Sequence, residues 1–242
     1  MNNFVNLSYL EAAKSPEKIK EWRYILDTKG YLRLKNFINP EGLAELKKIV
    51  KEARENQTDK TNSISLKKNE LDGTILADFA HSDLLLNLSN EILSTKKRPG
   101  LPIPKEEVYP VLRILEKASG QKNTYKYHYD HTFLTIAVPI IIPEPPKKTG
   151  PLIIYPNART FNTWKIYRRL SALFIITSFI RDKIFKRKRH EVIYNPGDIY
   201  LFYGYRSYHS TGELDPNELR AIALINLGSV QRNIHTARVV VN

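Results

Sequence analysis

His128 and Asp130 stand two apart in the run Thr124-Tyr-Lys-Tyr-His-Tyr-Asp-His-Thr-Phe-Leu-Thr135. Tyrosines alternate there with polar residues and an apolar, β-branched run follows, so the segment reads as a strand. Side chains two apart on a strand share a face, which sets the imidazole of His128 beside the carboxylate of Asp130. An imidazole and a carboxylate held together are two of the three ligands of a facial triad, the usual seat of non-haem Fe(II). The third ligand, a second His, has to arrive from a distant strand.

His209 answers that need. It follows Asn195-Pro-Gly-Asp-Ile-Tyr-Leu-Phe-Tyr-Gly204, a turn that launches a strand and a glycine that ends it, and it is expected just past the sheet edge. Arg220 comes eleven positions after His209 and opens the apolar strand Ala221 to Asn226. A cation at the head of a buried strand is costly unless its charge is paired. A dicarboxylate supplies that pair through two parallel charge-assisted hydrogen bonds. Three protein ligands leave three positions on an octahedral ion, of which a 2-oxo acid takes two and O₂ the third.

The elements that must position these residues divide the chain in two. Ser15 caps a helix that begins at Pro16 with Glu17 in its first turn and ends at Gly30. Tyr31 to Asn36 alternates as a strand. Asn39-Pro40-Glu41 opens a second helix with Leu43, Leu46, Ile49, Val50 and Ala53 on its apolar face. Residues 56 to 75 read as a polar loop, and Ser82 caps a third helix through Leu93. From residue 109 onward the texture is strands: 111–116, 124–130, 132–142, 152–155, 191–194, 198–203, 220–227 and 238–241. Helices first and then many strands argue for an antiparallel sandwich or barrel with helices packed outside. Residues 160 to 189 interrupt the strands as a helix-like insertion.

The 242 residues suit one large β domain or two small ones. A hydrophobic content of 42%, with fourteen Tyr and nine Phe, is ample for a packed core. The net charge of +13 favours anionic partners. The absence of cysteine excludes disulfides, thiolate metal sites and a Cys nucleophile. The first ten residues have no basic and apolar signal pattern, so a cytoplasmic location is the expectation. The apolar run Leu170 to Ile180 is too short to span a bilayer. With the basic run Lys183 to Arg189 behind it, the region of about 170–189 is a candidate for peripheral contact with anionic lipid.

The ordered set His128-x-Asp130, Gly150-Pro151-Leu152 with Pro156, Pro196-Gly197-Asp198, His209 and Arg220 resembles the Fe(II)/2-oxoglutarate-dependent dioxygenases. Gly30-Tyr-Leu-Arg-Leu-Lys-Asn-Phe-Ile-Asn-Pro-Glu-Gly-Leu43 is similar to the phytanoyl-CoA hydroxylase-like branch, and the likeness is scattered over about residues 22 to 228. The resemblance implies a double-stranded β-helix, or jelly roll, with N-terminal helices, in one domain over 1–242 whose core strands span about 109–242. It implies Fe(II), 2-oxoglutarate and O₂, with ascorbate as accessory reductant. His128, Asp130 and His209 become metal ligands, Arg220 the anchor of the distal 2-oxoglutarate carboxylate, and Thr211 its helper. The family often has Trp on the strand after His-x-Asp; here Thr135 is the hydrogen-bonding substitute. The presence of Asp130, where related halogenases carry Gly or Ala, implies hydroxylation rather than chlorination, with desaturation or ring closure as alternatives.

For the substrate, Lys126 shares the face of His128, Arg113 lies mid-strand among apolar residues, and Arg159 follows Pro156-Asn157. All three are candidates to meet a small anionic molecule. Tyr203, Tyr205 and Arg206 flank His209 and are candidates to line the mouth, although Tyr in a strand is usually packing. His131 is expected to face away from the metal, and His81, His190 and His235 to be surface or packing residues. A nucleic-acid substrate is permitted by the charge, but no recognisable module supports it. A non-catalytic jelly-roll binding protein is the remaining alternative, against which the intact triad and Arg220 argue.

Overall fold

Helix starts are fixed by side chains that take up orphan backbone N–H groups. The structure is a computed structural model that describes residues 4–57, 63–94, 102–116, 127–158 and 189–229. After a short helix α1 (Leu7–Ala12), Ser15 accepts from Lys18 N and launches α2 (Pro16–Lys29), which Gly30 ends in the left-handed conformation. Asn39 accepts from Gly42 N to start α3 (Pro40–Glu55). Two short helices follow, α4 (Lys68–Leu71) and α5 (Ile75–Ala80), and Ser82 caps α6 (Asp83–Leu93).

The strands are β1 (Tyr31–Leu34), β2 (Ser63–Leu66), β3 (Val108–Glu116), β4 (Thr132–Ile141), β5 (Leu152–Tyr155), β6 (His190–Val192), β7 (Ile199–Phe202), β8 (Tyr208–Thr211) and β9 (Leu219–Ser229). They form two antiparallel sheets, one of six strands in the order β1-β7-β4-β9-β3-β2 and one of three in the order β6-β5-β8. This is the jelly roll with helices outside that the sequence implies.

Alternation along the central strands builds two apolar layers. On one face of the large sheet, Leu134, Ile136 and Val138 of β4 and Ala223, Ile225 and Leu227 of β9 are buried under Trp22, Leu26, Leu46, Phe79 and Leu88 of the helices. On the other, Ala137, Tyr200, Phe202, Ile222 and Leu224 meet Leu152, Ile154, Val192 and Tyr194 of the small-sheet side. Each fully buried Leu, Ile or Phe contributes about 1.5–3 kcal/mol of transfer free energy.

The Pro-Gly-Asp turn is a structural anchor. Asp198 is 2% exposed and accepts from Arg33 Nε at 2.6 Å and from Asn36 N at 2.8 Å, tying the start of β7 to β1.

Four expectations need correction. The loop assigned to 56–75 contains β2 and α4, because Ser63-Ile-Ser-Leu66 pairs with Leu112 to Leu115 of β3 and borrows its order from that strand. The large sheet takes β1 and β2 from the N-terminal part as its two edges, so the sheet does not begin at residue 109. The expected strand 124–130 is, over its described residues, one bridge between His128 and His209. His209 lies within β8 and not past the sheet edge, since β8 pairs with β5 over Tyr208 to Thr211. The insertion 160–189 lies, but for Arg189, outside the described residues, as do Lys126, Arg159, His235 and the strand 238–241. No helix among the described residues is long and apolar enough to cross a membrane.

Candidate metal centre

His128 and His209 face each other across a two-bond antiparallel pair. His128 N donates to His209 O at 2.9 Å and His209 N donates to His128 O at 3.0 Å. Opposed residues in such a pair project side chains to the same side, and the two imidazole centroids are 4.5 Å apart. Asp130 is brought in by a different contact, its N–H donating to Gly204 O at 3.1 Å, at the end of β7. The result is a convergence of three donors: Asp130 Oδ1 lies 3.6 Å from His128 Nε2 and 3.6 Å from His209 Nε2. One ligand atom from each residue lies within 4.8 Å of the others.

The donor set fits a divalent ion. Donors about 2.1 Å from a metal and at right angles to one another are about 3 Å apart, so the observed separations close with small side-chain rotations. His209 Nδ1 stands 2.9 Å from Ser207 O, which assigns the N–H to that nitrogen and leaves Nε2 its lone pair. Burial holds the His209 imidazole below its ordinary pKa, against the pull of the Asp130 carboxylate, and so favours the neutral form that ligation requires. The exposures grade from inside to rim: the His209 side chain is 9% exposed, Asp130 16% and His128 45%.

A cavity of about 80 Å³ runs from these donors into the jelly roll between the two sheets. Arg220, Ile222, Leu224 and Asn226 of β9 line it from one face, and Arg113 of β3 stands opposite Ile222 in register. Thr135, Phe202, Leu152, Tyr194, Ser210 and Thr211 complete the wall. Arg220 is 5% exposed, and its guanidinium lies 5.7 Å from the ring centroid of Tyr194. Tyr194 is buried, which pushes its phenol pKa well up despite the opposing influence of Arg220, so the hydroxyl stays protonated. Gly150, at φ +67°, lies against Arg220 and near Thr211: a Cβ there would stand 2.8 Å from Arg220 Cδ.

Of the residues singled out in the sequence, the structure brings together His128, Asp130, His209, Arg220, Thr211, Thr135 and Arg113 around this one cavity. Thr135 Oγ1 donates to Asp130 Oδ2 at 2.5 Å. Tyr203 and Tyr205 are buried in the helix-side core, and Arg206 approaches Asp27 of α2, so these three are packing residues. His131 is exposed, His81 bonds Ala77 O, and His190 packs against Tyr31. Tyr194 and Asn226 were not foreseen. The signal for Asn226 was present, since a polar residue closes the alternate row Arg220, Ile222, Leu224; Tyr194 had none beyond its place before the Pro-Gly-Asp turn.

No family model matches the chain, and no curated protein matches its sequence. Solved structures do match. The non-haem α-ketoglutarate-dependent epimerase SnoN from nogalamycin biosynthesis aligns at TM-score 0.63 and 12% identity, over 89% of this chain and 84% of SnoN. A Pseudomonas putida prolyl-4-hydroxylase aligns at 0.56 and 12%, over 87% and 98%. EctD from S. alaskensis aligns at 0.58 and 15%, over 90% and 79%. SnoN has also been solved with Fe³⁺, α-ketoglutarate and a nogalamycin. The chain therefore has the fold that these structures share.

Proposed function

We propose that this protein is an Fe(II)/2-oxoglutarate-dependent oxygenase that hydroxylates a small anionic metabolite or biosynthetic intermediate. The observation that carries the reading is the convergence of His128 Nε2, His209 Nε2 and Asp130 Oδ1 at one end of a cavity that also holds Arg220. A scaffold protein has no use for three metal donors with a buried cation beside them.

His128, His209 and Asp130 would hold the ion. Arg220 would pair with the distal carboxylate of 2-oxoglutarate through charge-assisted hydrogen bonds, and Thr211, on the same strand as His209, would supply a hydroxyl to it. When bound, iron with 2-oxoglutarate supplies O₂ activation coupled to decarboxylation to succinate and CO₂, strong enough to oxidise an unactivated carbon. Phe202, Leu152, Ile222 and Leu224 keep water from the interior and so strengthen every charge interaction there.

Arg113 supports the anionic substrate. Among the described residues, the charged side chains lining the cavity are Arg113, Arg220 and Asp130. A divalent ion and a dianionic cosubstrate would cancel, so the described lining, with two arginines to one carboxylate, favours a carboxylate or phosphate on the primary substrate. Similar folds support epimerisation, carbocyclisation and hydroxylation, so the fold does not select the outcome. Asp130 favours oxygen transfer because its carboxylate fills the position where a halide would have to bind.

The test is succinate release from 2-oxoglutarate by purified protein under Fe(II) and O₂, with and without a panel of small carboxylates and phosphorylated metabolites. A subset should stimulate release and gain one oxygen by mass. Release that persists after His128→Ala or Asp130→Ala sinks the proposal.

A further inference from the structure

Thr135 faces the cavity, yet its hydroxyl is already committed. Its Oγ1 stands 2.5 Å from Asp130 Oδ2 and 3.3 Å from Asn226 Oδ1. A hydroxyl carries a single proton, and the shorter, charge-assisted contact takes it. The two oxygens of Asp130 thus have separate tasks: Oδ2 accepts from Thr135, while Oδ1 faces both imidazoles at 3.6 Å.

The surroundings hold this arrangement rigidly. Thr135 is 1% exposed and sits on β4 in the interior of the large sheet, in register with Phe202 on one side and Asn226 on the other. Gly204 closes the remaining side. A Cβ at that position would collide with both Asp130 Oδ2 and Thr135 Oγ1, so the pair is seated directly on main chain.

We propose that Thr135 is a positioning residue for Asp130, which it holds as a one-oxygen ligand, and that Asn226 in turn orients Thr135. The proposal rests on the metal-site reading above. A carboxylate that bound through both oxygens would take one of the three positions that the cosubstrate and O₂ need; with Oδ2 occupied by Thr135, all three stay open. The Asn226 amide completes the chain by a half-turn about χ2. That turn brings Nδ2 onto Thr135 Oγ1 and gives up only a 3.5 Å contact with Tyr109 O. The hydrogen bonds then run in one direction, from Asn226 to Thr135 to Asp130.

The experiment titrates the full chain with Co(II), a spectroscopic stand-in for iron, and measures 2-oxoglutarate affinity of the loaded protein separately. Outer partners of metal ligands are worth roughly 10–100-fold in metal affinity. Thr135→Val should weaken Co(II) binding by about that factor and alter its visible spectrum as the carboxylate swings toward two-oxygen ligation. Thr135→Ser should restore both, and any loss of 2-oxoglutarate affinity in Thr135→Val should accompany the change in Co(II) affinity and spectrum and be absent in Thr135→Ser. Asn226→Leu should lower Co(II) affinity in the same direction by a smaller factor. If Val does not fold at this position, Thr135→Ala against Thr135→Ser makes the same comparison. Unchanged metal affinity and spectrum in the hydroxyl-free variants, or a loss confined to 2-oxoglutarate affinity, overturns the proposal and makes Thr135 a cosubstrate contact. A wild-type chain that binds no divalent metal overturns the metal-site reading itself, an outcome distinct from either.

Discussion

Gly150 lies against the aliphatic stem of Arg220, so close that a methyl group in place of its hydrogen would stand 2.8 Å from Arg220 Cδ. The position of Arg220 thus depends on the absence of a side chain at Gly150, which lies just before β5. Gly150→Ala both crowds the arginine and strains a backbone at φ +67° by about 1–2 kcal/mol. Hydrogen bonds to charged groups are worth about 1.5–3 kcal/mol each. Displacing the guanidinium should therefore raise the KM for 2-oxoglutarate roughly 10- to 100-fold. Co(II) affinity should not change, because Gly150 touches none of the three donors. Equal losses in both would show that Gly150 supports the whole mouth and not Arg220 alone.

Metal binding should stabilise the fold, since the donors come from separated segments. An ion held at one hundred times its Kd adds about 2.7 kcal/mol, or roughly 5–10 °C in Tm for a chain of this size. Added Co(II) should produce that shift in the wild type and none in Asp130→Ala, as read by differential scanning fluorimetry. Addition of a chelator should reverse it.

Asp198 should prove a stability residue with no part in ligand binding. It is buried and holds Arg33 and the Asn36 N–H. Breaking a buried pair typically costs about 3–5 kcal/mol. Because the Arg33 side chain is 35% exposed and rehydrates in part, Asp198→Ala should cost about 3 kcal/mol in urea unfolding. If it folds, its metal affinity should match the wild type.

Alkaline pH should unfold the protein through its buried phenols. Burial is the main cause that pushes Tyr200 up to about 12, and it raises Tyr194 and Tyr203 as well. A group with a raised folded pKa contributes stability that is complete below its unfolded value, near 10 for Tyr. That stability is lost as pH rises through the folded value. Tm should hold steady up to about pH 10 and fall between there and about 12. In an absorbance titration of the fourteen tyrosines, these three should ionise only as far-UV circular dichroism is lost. Smooth ionisation of all tyrosines with the fold intact would contradict the burial argument.

The convergence of His128, Asp130, His209 and Arg220 on one cavity was legible because the chemistry expected of them constrains residue type: few residues can ligate iron or pair a carboxylate, and their order along the chain is distinctive. The helix starts at Ser15, Asn39 and Ser82 were legible for a similar reason, since capping depends on one side chain and its immediate neighbours. What stayed hidden was set by partners distant in sequence. β2 is a polar Ser-Ile-Ser-Leu segment that becomes a strand only because β3 offers it a ladder. β8, Tyr-His-Ser-Thr, lacks an apolar face, so His209 read as the residue after a sheet and not as part of one. The link from Thr135 to Asp130 spans five residues and a bend, which no periodicity predicts. Tyr194 depends on the closure of the small-sheet side over the large one.

The main-chain pair between His128 and His209 has one more consequence. Two backbone hydrogen bonds set the spacing of the two residues that carry those imidazoles. Folding therefore covers part of the ordering entropy that gathering the donors would otherwise cost. A socket prepared in this way has little geometric means of refusing an ion of similar size. Nitrogen and oxygen donors bind Co(II), Ni(II) and Cu(II) more tightly than Fe(II), in the Irving–Williams order. On the proposed reading, loading with iron would depend on supply and exchange rate, and Zn(II) and Cu(II) should inhibit by competing for the same three side chains.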